Sequence, residues 1–218
     1  MDQDRVYYFT DASIYQKRNK LFGIIKVQYY HDNMYILGKG CFRSNDEYDI
    51  NVLESLAVLG ALTDIWSNRY CKAYITTDSD SVYLSVRDII MGKKGFCKLP
   101  KFYVNGPRTL FHKMCAYITD LYFRWPYNVD IQWNNVKSHV SSIEQWRKMK
   151  KVNPDCEFNE ALNLNHGNML IDDIVKSCAS DDGLYNLTQP INAYSILKGS
   201  NCFPRLITHQ PKLLSSGY

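Results

Sequence analysis

The chain has 218 residues, 45% of them hydrophobic and 22% charged, with a formal net charge of +4. That length holds one well-buried domain with an appendage, or two small domains, and the composition excludes a disordered chain. The mild positive balance weakly favours a polyanionic partner. Residues 5–11 are predicted to form a strand, because Val6-Tyr7-Tyr8-Phe9-Thr10 runs into a polar end at Asp11. Residues 21–30 and 34–42 are two more strands, and His31-Asp32-Asn33 between them supplies turn chemistry for an antiparallel hairpin. Gly38-Lys39-Gly40 lacks the longer glycine frame of a phosphate loop and is read as a bulge or kink in the third strand.

Residues 47–67 carry Leu53, Leu56, Ala57, Gly60, Ala61, Ile65 and Trp66 at helical spacing, and the small side chains would let this helix lie close on a sheet. A fourth strand is expected over 72–77, then a helix from Ser79 to about Met91 with Ser79 or Asp80 as N-cap. Gly106-Pro107 is expected to open the next helix, with Leu110, Met114, Cys115, Ile118 and Leu121 as its buried stripe. A fifth strand falls near 129–136. Residues 137–167 read as an elaborated loop with a helical turn or two, and the last helix is expected from about Asn168 to Ala179. This order predicts an α/β fold, a five-stranded mixed sheet flanked by helices. One domain is expected over 1–183, with a basic projection at 92–105 and an insertion at 140–167. The extension 184–218 keeps Leu, Ile, Tyr and Phe and is expected to dock on the domain.

The seven cysteines (Cys41, Cys71, Cys97, Cys115, Cys156, Cys178 and Cys202) are scattered, with no C-x-x-C pair. They read as reduced thiols in an intracellular, cytoplasmic protein, not as a disulfide framework or a structural zinc site. Asp2, Asp4 and Arg5 ahead of a short apolar run do not resemble a signal peptide. No run of about 18 apolar residues is seen to cross a bilayer, and no membrane partner is expected.

Four acids stand where charge is expensive. Asp11 and Asp78 end predicted strands, Glu54 lies between Leu53 and Leu56 on a buried helix, and Asp172 opens the last helix. Gathered carboxylates repel and lose hydration unless a cation neutralises them. Oxygen-only ligands favour Mg²⁺ or Mn²⁺, so the chain reads as a metal-dependent nuclease. Three of the acids have plainer alternatives: a solvated helix position or a salt bridge for Glu54, an N-cap for Asp78, a dipole-favoured first-turn acid for Asp172. Asp173 next door competes with Asp172 as a ligand.

Phe9-Thr10-Asp11-Ala12-Ser13 resembles the first-strand motif of type 1 ribonuclease H, in the Thr-Asp-Ala-Ser form of reverse-transcriptase-associated domains. Asn51-Val52-Leu53-Glu54-Ser55-Leu56-Ala57, Thr77-Asp78-Ser79, Val136-Lys137-Ser138-His139 and Asn168-Met169-Leu170-Ile171-Asp172 are similar to four further motifs of that family, in order. The resemblance covers roughly residues 5–180 and implies the ribonuclease-H-like fold. It implies Asp11, Glu54, Asp78 and Asp172 as catalytic ligands of two Mg²⁺ or Mn²⁺ ions, with endonucleolytic cleavage of the RNA strand of RNA–DNA hybrids. It also implies His139 as a catalytic group for proton transfer or product release, and Ser13 and Asn51 as contacts to the substrate backbone. Lys93, Lys94, Lys98 and Lys101 would form the family's basic protrusion, with Phe96, Phe102, Tyr103 and Phe111 interleaved. The expected protein is a monomer.

The chain departs from the family in three places. Residues 140–167 separate His139 from Asn168, which brings His166 forward as an alternative. Asp80 stands where an amide is usual, and no threonine precedes Asn51 as in the family's phosphate pocket. The cluster Arg147-Lys148-Met149-Lys150-Lys151 in the insertion reads as a solvated face or an extension of the nucleic-acid track. The competing readings are a non-catalytic nucleic-acid-binding module on the same fold and another nuclease of the superfamily. First-strand Asp-Ala-Ser argues against an exonuclease, which usually has Asp-x-Glu there.

Overall fold

The computed structural model describes residues 5–15, 19–30, 33–44, 49–124, 130–137, 140–152, 154–180, 191–199 and 206–213. Alternation along the first strand decides the layering. In β1 (Val6–Tyr15), successive side chains point to opposite faces. Val6 and Tyr8 enter one buried cluster, Tyr7 and Phe9 the other. A strand apolar on both faces must be covered on both, which places β1 inside the sheet.

β2 (Asn19–Tyr30) and β3 (Asn33–Ser44) follow as antiparallel neighbours, and β4 (Lys72–Thr77) and β5 (Asp130–Asn135) add on the other side in parallel. The order β5-β4-β1-β2-β3 is the mixed five-stranded sheet the sequence predicts. A sixth strand extends it, since β6 (Ile207–Leu213) pairs antiparallel with β3. Pro211 hides this strand in the sequence, and an edge position is where a strand proline is tolerated. The β2–β3 register shifts between Lys26 and Val27, opposite Gly38 and Ile36, so Leu37 is the extra residue of a bulge beside the glycine pair.

The first cluster lies under α1 (Ile50–Asn68), α2 (Asp80–Lys93) and α4 (Leu110–Arg124), with the short α3 (Lys101–Val104) between the last two. Asp49 caps α1 by accepting the Val52 N–H, and Arg69 closes it in the left-handed conformation at φ 57°. By length and composition α1 is apolar enough to cross a membrane, which corrects the sequence expectation. Its most apolar stretch is nonetheless 72% buried inside the fold, as a core helix requires. Asp64 anchors it: Lys26 Nζ donates to Asp64 Oδ2 at 3.0 Å and the Tyr8 hydroxyl at 2.7 Å. This buried network fixes the axial position of α1, and with it Glu54.

Helix α4 begins at Leu110 rather than at Gly106-Pro107. Gly106 turns the chain at φ 84°, and Thr109 Oγ1 accepts the His112 N–H at 3.1 Å as the cap. Met114, Cys115 and Ile118 are buried as expected, while Leu110 and Leu121 are half-buried against the same cluster. α7 (Ala193–Leu197) adds Ala193 and Ile196 to that core.

The largest correction concerns 137–167. This segment contains α5 (Ser142–Val152), and the helix expected from about Asn168, α6 (Phe158–Ser180), starts well before that residue. α6 covers the second face through Leu164, Ile171, Val175 and Cys178. Its close approach depends on two glycines. A Cβ on Gly167 would lie 2.3 Å from Phe9 Cζ, and one on Gly23 would lie 2.4 Å from Val175 Cγ2. Gly167→Ala must therefore displace a buried ring. The expected cost is about 1–3 kcal/mol, measured by urea denaturation.

Candidate metal centre

β1 and β4 run parallel with Thr10 opposite Thr77, so the next residues, Asp11 and Asp78, emerge at one level of adjacent strands. Glu54 approaches from α1, where it is buried between Leu53 and Ser55. Asp11, Glu54 and Asp78 each contribute a carboxylate oxygen, and these three atoms lie within 4.8 Å of one another. Asp11 is 7% exposed and Glu54 6%, while Asp78 is half-buried. Ala12 N–H donates to Glu54 Oε1 at 3.2 Å. Glu54 Oε2 is buried with no hydrogen-bond partner among the described residues.

The electrostatics follow from this crowding. Burial, then the charges of Asp78 and Asp172, pushes the Asp11 carboxyl up to about 7, against smaller opposing effects from the Ala12 amide and Lys176. Burial, then Asp11 and Asp78, pushes Glu54 well above the usual carboxylate range. All three donors are oxygens and one buried oxygen has no partner, so the residues fit a hard divalent cation.

Asp172 is not in this cluster. It lies deep within α6 rather than in a first turn, so the dipole alternative does not apply. Its Oδ2 accepts from Lys176 Nζ at 2.6 Å, one turn along the helix. Its charge still acts on Asp11, so it belongs to the same side of the fold. Asp173 is exposed on the next position round the helix. The cap alternative for Asp78 also fails, because Ser79 Oγ accepts the Val82 N–H and is the N-cap of α2.

His139 lies outside the described residues. His166 is exposed on α6, and its spacing from Asp172 puts the two on different faces of the helix. Ser13, two residues beyond Asp11 on β1, is half-buried and shares its face of the strand. Asn51 is half-buried one turn before Glu54 on α1.

The four lysines of the projection divide. Lys93 Nζ donates to Asp120 at 2.6 Å and lies over the Tyr103 and Phe123 rings, and Lys94 lies over Tyr122. All four are exposed, but these two are held against the fold by those contacts. The aromatics divide likewise: Phe102, Tyr103 and Phe111 pack on the core, and Phe96 is 71% exposed.

No family model matches the chain, and no curated protein matches it by sequence. Solved structures do. The solution structure of the PFV RNase H domain is 17% identical, with a TM-score of 0.50, over 81% of this chain and 93% of that one. The foamy viral protease-reverse transcriptase in complex with dsDNA is 15% identical, with a TM-score of 0.50, over 82% of this chain and 97% of that one. At these identities the likeness establishes the fold, a ribonuclease-H-like mixed sheet flanked by helices.

Proposed function

We propose that the protein is a metal-dependent endonuclease that cleaves the RNA strand of RNA–DNA hybrids. The observation that carries this reading is the convergence of Asp11, Glu54 and Asp78, with oxygens within 4.8 Å, on a fold of this class. Asp11, Glu54 and Asp78 would hold Mg²⁺ or Mn²⁺, and Asp172, paired with Lys176, would be the fourth ligand. When two such ions are bound, they activate the attacking water and stabilise the leaving oxygen of a phosphodiester. The chain's own residues prepare that site. The Ala12 amide fixes Glu54 Oε1, and the buried wall around Glu54 excludes solvent. Ser13 and Asn51 are assigned to the substrate backbone, where 2′-hydroxyls distinguish RNA from DNA. His139 is assigned to proton transfer or product release.

The test is cleavage of a strand-labelled RNA–DNA hybrid with Mg²⁺ and with chelator, beside double-stranded RNA, double-stranded DNA and single-stranded RNA. Mg²⁺-dependent cutting of the hybrid's RNA strand supports the proposal, and no cutting of the hybrid overturns it. Binding supplies a second test. Lys98→Ala with Lys101→Ala should weaken hybrid binding and lower the slope of log affinity against log salt by about 1–2, since each phosphate contact contributes roughly 0.7–0.9. Lys93→Ala should change that slope less, because Asp120 already holds its ammonium.

A further inference from the structure

The helix that replaces the expected loop places a cation at the end of β5, the strand beside the one that delivers Asp78. β5 ends at Asn135, whose register partner is Thr77, the residue before Asp78. Asn135 is buried, and its Nδ2 donates to Thr77 O at 3.4 Å while its Oδ1 accepts from Lys148 Nζ. Lys148 belongs to α5, and α5 is firmly seated. Ser141 and Glu144 form a reciprocal capping box at its start. Gln145, fully buried one turn before Lys148, accepts the Lys137 N–H at 2.9 Å. Trp146 Nε1 donates to Cys156 O at 3.1 Å, and Met149 packs into the second core cluster.

A merely solvated basic face would leave every lysine in water. Arg147, Lys150 and Lys151 are indeed exposed, but Lys148 is half-buried. Burial disfavours its charge, as does the nearby Lys137, and Asp80 favours it. Two cations, Lys148 and Lys137, thus stand at the C-terminal edge of β4 and β5, where the strands also deliver Asp78. A phosphodiester strand lying over the carboxylates needs positive charge on their flank, since those carboxylates repel it.

We propose that Lys148 binds a backbone phosphate of the cleaved strand, next to the one lying over the carboxylates, with Asn135 as its pedestal. This rests on the nuclease reading. It makes α5 part of the substrate site rather than an insertion at its margin.

Steady-state cleavage and hybrid binding by Lys148→Met and Lys148→Arg test this. Lys148→Met should raise KM about tenfold and lower kcat by a much smaller factor, with its salt slope reduced by about one. Lys148→Arg should recover most of the loss in KM, which a purely structural lysine would not require. Lys148→Met keeps the aliphatic stem but takes the ammonium from the buried Asn135 Oδ1, so its melting temperature should fall by a few degrees while the protein stays folded. An unchanged KM and salt slope in Lys148→Met overturns the assignment, as does an equal impairment in Lys148→Arg. If the parent protein cleaves nothing, the nuclease reading fails by itself. Fluorescence anisotropy of a labelled hybrid without Mg²⁺ then still decides the lysine: a reduced salt slope in Lys148→Met supports it, and parental binding overturns it.

Discussion

Asp11→Asn or Asp78→Asn is expected to lower Mg²⁺-dependent cleavage of an RNA–DNA hybrid by about a thousandfold or more, a barrier increase of roughly 4 kcal/mol. Each substitution keeps the size of the side chain and removes one anionic donor from a cluster whose oxygens lie within 4.8 Å. An amide oxygen binds a hard cation more weakly than a carboxylate does, and among the described residues no fourth acid lies within the cluster to take its place. The fold should survive. Asn at 11 removes a charge that burial disfavours most, and Asp78 and Asp172 less, so the metal-free variant should be no less stable than the parent near neutral pH. The measurement pairs initial cleavage rates at saturating Mg²⁺ with thermal melting in chelator. Parental rates in either variant would remove these residues from the site. Loss of rate with loss of folding would show that the carboxylates serve structure instead.

Much of this arrangement is legible in the sequence because the three converging acids sit in strongly patterned elements. Asp11 follows a run that alternates between two cores, Asp78 follows a short β-branched strand, and Glu54 interrupts an almost wholly apolar helix. What escapes is governed by tertiary context. Asn159, Asn163, Asn165, His166 and Gly167 are poor helix formers, and their run conceals the first turns of α6. The fold recovers the cost through contacts a sequence does not show. Asn165 Nδ2 donates to Ser142 Oγ, the Asn163 carbonyl accepts the Tyr29 hydroxyl, and Gly167 is required by the Phe9 ring. Asp172 therefore lies far inside a helix, not at its opening. α5 did carry a readable signal, the Ser141-x-x-Glu144 capping box, masked by the basic cluster after it. The pairing of Lys93 with Asp120 joins two helices and has no local signature.

Burial and crowding together make the metal-free protein lose stability as the pH rises toward 8. The Asp11 carboxyl is raised from 3.8 to about 7 on folding, so the folded state holds a proton that the unfolded chain has already lost between those values. A group raised in this way contributes stability that is fully present below the unfolded value and lost as pH climbs through the folded one. For Asp11 the loss amounts to about 4 kcal/mol between pH 4 and pH 8. Glu54 is displaced in the same direction, chiefly by burial, and adds to the trend. In chelator, the unfolding free energy from urea titrations should therefore fall from pH 5 to pH 8 in the parent, and fall distinctly less in Asp11→Asn. The difference between the two proteins reports this carboxyl together with its coupling to Glu54, and leaves out the titrating groups elsewhere in the chain. Mg²⁺ is expected to reverse the trend, because a cation at this site would bind the ionised form and would have to displace the proton at low pH. Stabilisation by Mg²⁺ should be small at pH 5, large at pH 8, and nearly absent in Asp11→Asn at both. Equal stabilisation of parent and variant would mean that the ion binds elsewhere, and a parent whose metal-free stability does not fall toward pH 8 would mean that Asp11 is neither buried nor crowded in solution.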